Sequence, residues 1–407
     1  MRFADILISH AYSRKQESFT YAVPGNLDLH KGDGVVVSFQ TGEKAGLVMN
    51  LHNTEPSFKT KPILRKLSEE PLLHEWQMEI ADWIAEYYFC SKYDSIRLFL
   101  PTGIFKIIKR QLKEKNKKVA QEVGPPRILS PDQAEILRKI AADHPPVSLI
   151  YGVTGAGKTE IYTQLIKNCI QNGGQALILA PEIALTPQLL RTFETEFPRI
   201  AVIHSRVGEA EKARLWRAIQ KGEIDVILGS RSALFCPFKN LKLLVMDEEH
   251  EWSYKQDQSP RYHARDVALK IAELTGAQVV FGSATPSVET MWHAKKGDYA
   301  FFEMKERISG TPLPRVEIAD MRDELKGGNF SLFSEKLEQK IRSTLDANEQ
   351  VILFLNRRGS ASSTVCRDCG YTVAGDRGEA EKAQRIHRHR FMINGRCGFQ
   401  AGERANS

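Results

Sequence analysis

Two short stretches carry residue types that could do phosphate chemistry. The first, Gly152-Val-Thr-Gly-Ala-Gly-Lys-Thr159, follows an apolar run and opens a helical pattern. Gly152, Gly155 and Gly157 free the backbone to curl, with Thr154 in the same curl, until successive N–H groups face one anion. The N-terminus of the next helix adds its dipole. Lys158 can reach β- and γ-phosphates and the Thr159 hydroxyl can ligate Mg²⁺, so the expected ligand is Mg-ATP. The second stretch, Asp247-Glu-Glu-His250, ends an apolar run beginning at Leu243. There Asp247 would hold Mg²⁺, directly or through water, and Glu248 would orient and deprotonate an attacking water.

Those residues need a sheet to bring them together. Apolar strands are expected at Val147–Tyr151, Gln175–Ala180, Ile200–His204, Ile224–Leu228, Leu241–Asp247 and Gln278–Gly282, with helices near 160–171, 185–196, 209–220 and 264–275 between them. Continuous Val/Ile/Leu runs separated by helices predict a parallel sheet covered on both faces. Ligands meet such a sheet at the C-terminal ends of its strands. Ser283-Ala-Thr285 follows one strand, and its small hydroxyl residues suit a hinge that senses nucleotide. Gln133, in Leu129-Ser-Pro-Asp-Gln133, has a carboxamide able to pair with N6 and N7 of adenine; it also reads as a plain helix start. A further strand, Val351–Leu355, after a helical stretch at 334–347, is expected to begin a second α/β lobe.

Upstream, residues 1–58 read as short β-strands punctuated by Pro24-Gly25, Lys31-Gly-Asp-Gly34 and Thr41-Gly42. Residues 74–100 switch to helical spacing, with Trp76, Ile80, Trp83, Ile84 and Tyr87 on one face as core. Residues 101–128 are basic, Lys106 and Lys109 among them, and are either a solvated linker or a track for a phosphate backbone. Pro125-Pro126 marks a boundary. The chain has 407 residues, enough for two or three domains, and its net charge of +7 permits a polyanionic partner. Its six cysteines are too few for a disulfide framework. No signal peptide or membrane-length apolar run is apparent, so a soluble, cytoplasmic protein with no membrane partner is expected.

Asp247-Glu-Glu-His is one spelling of the second motif of superfamily 2 helicases, and Ser283-Ala-Thr of their third. Gly152 to Tyr162, Ala180-Pro-Glu-Ile-Ala-Leu-Thr-Pro-Gln188, Gly229-Ser-Arg-Ser-Ala-Leu-Phe235, Asp247 to Gln256, Pro260-Arg-Tyr-His-Ala-Arg-Asp-Val267, Gly282 to Ser287 and Phe354-Leu-Asn-Arg-Arg-Gly359 together resemble the PriA family of primosomal helicases. Phe19-Thr-Tyr-Ala-Val-Pro24 and Gly34–Val48 resemble that family's 3′-end DNA-binding domain. The resemblance implies an ATP-dependent 3′→5′ DNA helicase that restarts replication at stalled or abandoned forks. It implies branched and single-stranded DNA, single-stranded DNA-binding protein and helicase-loading primosome proteins as partners. It further implies an aromatic and basic segment that couples DNA to ATP hydrolysis: Trp252, Tyr254, Lys255, Arg261, Tyr262 and His263. Arg231, and Lys106 and Lys109 of the basic stretch, are further expected DNA contacts. Aromatic faces stack on single-stranded bases while Lys and Arg bind phosphates.

The expected architecture is a RecA-like α/β P-loop NTPase lobe with an N-terminal β-rich DNA-binding domain and part of a second helicase lobe. The expected map is DNA-binding domain 1–100, basic linker 101–128 in place of a winged helix, first lobe 129–310, start of the second lobe with a partial zinc motif 311–373, and a tail 374–407 without family blocks. Thr20 stands where the family usually has the Asp that helps recognise a 3′ end. Cys366 and Cys369 form one C-x-x-C pair where the family binds two Zn²⁺ ions through four such motifs, and one pair is half of a tetrahedral site. The blocks stop near Val373, before the arginines of the family's later motifs, which predicts slow hydrolysis. The rival expectations are an ATP- and DNA-binding module that does not unwind, and a P-loop ATPase that does not act on nucleic acid.

Overall fold

The computed structural model describes residues 2–8, 18–40, 42–101, 104, 128–312 and 314–354, with four short strands beyond. The chain divides into two compact units, Met1–Pro312 and Leu313–Ser407.

The first unit opens with an antiparallel sheet of β1 (Arg2–Ile8), β2 (Phe19–Val23), β3 (Gly34–Phe39), β4 (Gly42–His52) and β5 (Ile63–Lys66), in the order β2-β1-β4-β3-β5. Alternate side chains of these strands, Ile6, Val35, Val37, Val48 and Ile63 among them, close over one face as a small core. Helix α1 (Glu75–Tyr87) follows. The Gln77 carboxamide accepts the His74 N–H at 3.0 Å and closes its first turn. Met78, Ile80, Ala81 and Ile84 are buried along it, whereas Tyr87 ends the expected apolar stripe 56% exposed. A short α2 (Lys92–Arg97) is capped by the Ser91 hydroxyl. These helices share one core with the α/β part of the unit. The Trp216 indole N–H donates to the Phe99 carbonyl at 2.8 Å, and Phe99 meets the Phe235 ring edge-on at 5.0 Å.

That α/β part is a seven-stranded sheet in which every pairing is parallel. Its strands are β6 (Val147–Gly152), β7 (Gln175–Leu179), β8 (Ile200–Ile203), β9 (Val226–Gly229), β10 (Leu241–Asp247), β11 (Gln278–Ser283) and β12 (Ala300–Met304), in the order β12-β6-β11-β10-β7-β9-β8. Helices α3 (Pro131–Asp143), α4 (Lys158–Gln171), α5 (Pro187–Glu196), α6 (Glu209–Gln220), α7 (Ala264–Thr275) and α8 (Val288–Lys296) connect the strands and seal two apolar cores. The RecA-like α/β reading holds. The sequence pattern missed edge strand β12, whose Phe301 and Glu303 alternate outward.

The second unit shows helices α9 (Met321–Lys326) and α10 (Glu335–Asp346). It also has two antiparallel pairs, Ser363–Val365 with Thr372–Ala374 and Met392–Ile393 with Arg396–Cys397. The strand expected at Val351–Leu355 is corrected over its described residues, 351–354. They form no strand, and Ile352 and Phe354 are 93% and 86% exposed, with no strand paired to them among the described residues.

Candidate active site

The order β6-β11-β10 sets the site. Asp247 pairs with Gly282, and Ser283 with Tyr151, so the ends of these three strands lie in adjoining rows. The glycine loop leaves β6, the acids leave β10, and Ser283-Ala-Thr285 leaves β11 between them.

The loop's curl depends on Gly155 at φ +83° and Gly157 at φ +87°, a backbone region that side chains disfavour. At Gly157 an added Cβ would also collide with Ile308 and the Gln133 carboxamide. Gly152 plays a different part from the expected one. It ends the strand without positive φ and leaves room for Met304, whose Cβ would stand 3.1 Å from an added one. Thr154 is exposed on the loop. Lys158 is buried and donates to the Gly152 carbonyl at 2.9 Å, with Glu248 at 4.0 Å. Thr159 lies in the first turn of α4. The loop is also tied to the chain beyond β12: Ile308 N–H donates to Gly155 O at 3.0 Å and Val153 N–H to Met304 O at 3.4 Å.

Gln133 is 2% exposed and both ends of its carboxamide are engaged. Its oxygen accepts Ser130 N–H at 2.8 Å, and its nitrogen donates to the Gly157 carbonyl at 3.1 Å. In this arrangement the group fastens the start of α3 to the phosphate-binding loop, and a second lone pair and N–H of the carboxamide remain for the adenine pairing expected of it.

Asp247 receives the Tyr162 hydroxyl at 3.0 Å. That bond needs Gly282, because any Cβ there would occupy the Tyr162 hydroxyl's place. Burial, then the neighbouring Glu248 carboxylate, pushes the Asp247 carboxyl up to about 6. Glu248 sits at φ +46°, a strained position for a residue with a side chain. The next carboxylate, Glu249, has a fully buried side chain. It accepts Ser287 N–H at 2.7 Å and the Thr290 hydroxyl at 3.0 Å, and it pairs with Arg265 at 3.3 Å. His250 bridges the predicted hinge, with Nδ1 2.8 Å from Ser283 Oγ and Nε2 3.2 Å from Thr285 Oγ1. Tyr162, Glu249, His250 and Arg265 fall inside the motif blocks, but sequence reading gave them no role, because the partners that define one are brought near only by the fold.

The segment after the acids is a braced loop. Lys255 bridges His263, and Gln256 N–H donates to Tyr262 O at 2.9 Å. Trp252 is 88% exposed, whereas Tyr254 and Tyr262 are 1% and 2% exposed. The expectation that these two tyrosines stack on bases is therefore corrected. Tyr254 donates to the Asp247 carbonyl at 2.6 Å, and Tyr262 packs edge-on against Phe235 at 5.0 Å. Arg231 is likewise spent internally, donating to the Ser253 and Lys255 carbonyls at 2.7 and 2.6 Å. Arg261 is exposed, and Lys255 donates to its carbonyl. Lys106, Lys109, Cys366 and Cys369 lie outside the described residues. Among the described residues no cluster of His, Cys, Asp or Glu could hold a metal by itself, and no helix is long and apolar enough to cross a membrane.

The site fits a nucleotide polyphosphate with its cation. A backbone curl at positive φ offers N–H groups, a buried ammonium stands at its mouth, and Asp247 and Glu248 face it. Thr20 on the N-terminal sheet pairs with Asp5 and donates to its carboxylate at 2.8 Å, with His52 Nε2 3.6 Å from the same oxygen.

Residues 130–292 match the DEAD/DEAH box helicase family, and residues 6–101 match the 3′DNA-binding domain (3′BD). The replication restart protein PriA of Bacillus subtilis is 46% identical over 237 residues, 58% of this chain and 29% of that protein. The replication restart protein PriA of Rickettsia felis is 38% identical over 372 residues, 91% of this chain and 56% of that protein. The chain thus spans little more than half of the latter's length. Among solved structures, RecG bound to a three-way DNA junction aligns with a TM-score of 0.35 at 20% identity, over 55% of this chain and 31% of that one.

Proposed function

This chain belongs to the PriA family of superfamily 2 helicases, and on that footing we propose that it is the ATP- and DNA-binding part of a 3′→5′ helicase that restarts replication at stalled or abandoned forks. One observation carries the reading: the phosphate-binding loop and the Asp247–Glu248 acids leave the ends of two strands that flank β11, directly before a loop that displays Trp252.

ATP would lie with its phosphates against the N–H groups of the glycine loop and the Lys158 ammonium. Lys158 would exchange its bond to the Gly152 carbonyl for a phosphate oxygen, so little side-chain ordering is needed on binding. Thr159 and Asp247 would hold Mg²⁺, which when bound offsets phosphate charge. Glu248 would take the proton of the attacking water. Ser283 and Thr285, joined through His250, would pass the state of the site to the rest of the lobe. Single-stranded DNA would stack on Trp252 and pair its phosphates with Arg261, with the basic 101–128 stretch as a further contact. On the N-terminal sheet, Asp5 supplies a carboxylate beside Thr20, a candidate acceptor for a 3′-hydroxyl. Single-stranded DNA-binding protein and primosome proteins are the proposed partners in the cytoplasm. Zn²⁺ at Cys366 and Cys369 stays a proposal of the family resemblance alone.

The test is a fluorescent forked duplex with the purified chain and saturating ATP. Binding of Mg-ATP and of the fork, with slow hydrolysis and no strand displacement, is the expected result for this part of the protein. ATP-dependent displacement from a 3′ tail that is lost in Lys158→Ala would show that the part unwinds by itself, and ATP binding with no DNA binding would favour a motor that does not act on nucleic acid.

A further inference from the structure

The seam between α1 and the braced loop is held by one side chain. Tyr88, the residue that ends α1, donates its hydroxyl to the Asp266 carboxylate at 2.9 Å and accepts the His263 N–H at 3.1 Å. Lys255 Nζ stands 5.3 Å from the centre of its ring, a cation–π distance. Tyr87 and Trp83 also pack edge-on against the ring, at 4.9 and 6.0 Å. Lys255 and His263 are the two residues that pair at the base of the loop, so Tyr88 grips both ends of the loop at once.

From the loop base the contacts run to the nucleotide site by two routes. Arg265, next to Asp266 at the start of α7, reaches the buried Glu249 and the Ser287 and Thr290 hydroxyls after the Ser283-Ala-Thr285 hinge. Tyr254, next to Lys255, bonds the carbonyl of Asp247. Burial also pushes the Tyr88 hydroxyl's pKa well up, which keeps it a donor to Asp266 at every working pH.

We propose that Tyr88 is a positioning residue that couples nucleic-acid occupancy of the loop and N-terminal domain to nucleotide affinity. The inference rests on the ATP and DNA reading above. A coupling of this kind is a free energy shared by two sites and is reciprocal, so it is read from either ligand.

The experiment uses the whole chain, AMP-PNP with Mg²⁺, and a saturating single-stranded oligothymidylate, by calorimetry. Nucleotide affinity is measured with and without DNA in wild type, Tyr88→Phe and Asp266→Asn. Tyr88→Phe keeps the ring and its aromatic neighbours, and thermal melting checks that it folds. The expected wild-type coupling is about fivefold or more. In Tyr88→Phe each ligand alone should bind within about twofold of wild type, while the coupling falls towards unity; Asp266→Asn should lower it in the same direction. Combining the two changes should add little, because both cut one link. A merely structural role would shift melting or single-ligand affinity and leave the ratio intact. Wild-type coupling preserved in Tyr88→Phe overturns the inference. So does a wild type that binds both ligands independently, and that outcome leaves the functional reading standing. A wild type that fails to bind nucleotide or DNA at all sinks the functional reading itself, and the inference with it.

Discussion

Two loops leave the same edge of the same sheet, and they are held in opposite ways. The phosphate-binding loop after β6 takes its shape from its own backbone: Gly155 and Gly157 make the curl, Lys158 bonds the Gly152 carbonyl and Thr154 faces outward, while Gln133 and Ile308 only tie down the Gly157 and Gly155 carbonyls. The loop after β10 is fastened from elsewhere, by Arg231 beneath, Tyr88 at its base and Tyr254 reaching back to Asp247. A loop that receives an anion must keep donors free. A loop that passes on a displacement must be pinned at its base and open at its tip, as Trp252 is. The lesson is that exposure in the second loop is a decision of tertiary contacts, while geometry in the first is a decision of local backbone.

The strongest way to break the second loop's bracing is at Arg265. Arg265→Ala strands the Glu249 carboxylate in a dry site, and the unit should lose about 3–5 kcal/mol of stability, read from urea midpoints. A loss under about 1 kcal/mol would mean that the Ser287 and Thr290 donors suffice without the guanidinium.

The first loop's neighbourhood should respond to pH. The folded chain keeps the Asp247 proton up to about pH 6, whereas the ordinary value is 3.8. Between those values the folded state binds more protons than the unfolded one, so stability falls as pH rises through that window and the penalty is complete above it. Without Mg²⁺, Asp247→Asn should therefore stabilise the chain by up to about 3 kcal/mol at pH 8 and by almost nothing near pH 3.5. An equal gain at both pH values would assign the effect to packing.

Lys158→Ala should leave the melting temperature almost unchanged and weaken Mg-ATP binding about ten- to a hundredfold by calorimetry, the worth of a charged hydrogen bond to phosphate. Equal affinity would remove Lys158 from the site. The smallest effect is expected at the tip of the other loop. Trp252→Ala should cost about tenfold in single-stranded DNA affinity by fluorescence anisotropy, with nucleotide binding in the absence of DNA untouched. An unchanged DNA affinity would move the nucleic-acid surface away from this loop.

The difference between the loops also explains what was legible. Gly155, Gly157 and Lys158 act through bonds within a few residues, so their spacing alone pointed to the curl and its ligand. Continuous apolar runs likewise marked six strands of the parallel sheet. Tyr254 and Tyr262 were legible as aromatic residues but not as buried ones, because Phe235 and the Asp247 carbonyl that engage them are brought near only by the fold. Gln133 was legible as a helix start, because its capping bonds are local, but its bond to Gly157 was not. Val351 to Phe354 showed the opposite failure, an apolar run that pairs with no strand among the described residues.

The bond from Ile308 N–H to the Gly155 carbonyl has a consequence for measurement. That amide exchanges with solvent when its bond to Gly155 opens, and a phosphate drawn to the N–H groups of the same curl would hold the Gly155 carbonyl in place and change how often the bond opens. The rate at which a single amide trades hydrogen for deuterium thus becomes a gauge of nucleotide occupancy, read at a residue that lies beyond β12 and outside the motif. It also makes the stretch after Met304 a listener rather than a tether: whatever the phosphate-binding loop does, the chain that leads onward from it is the first to register it.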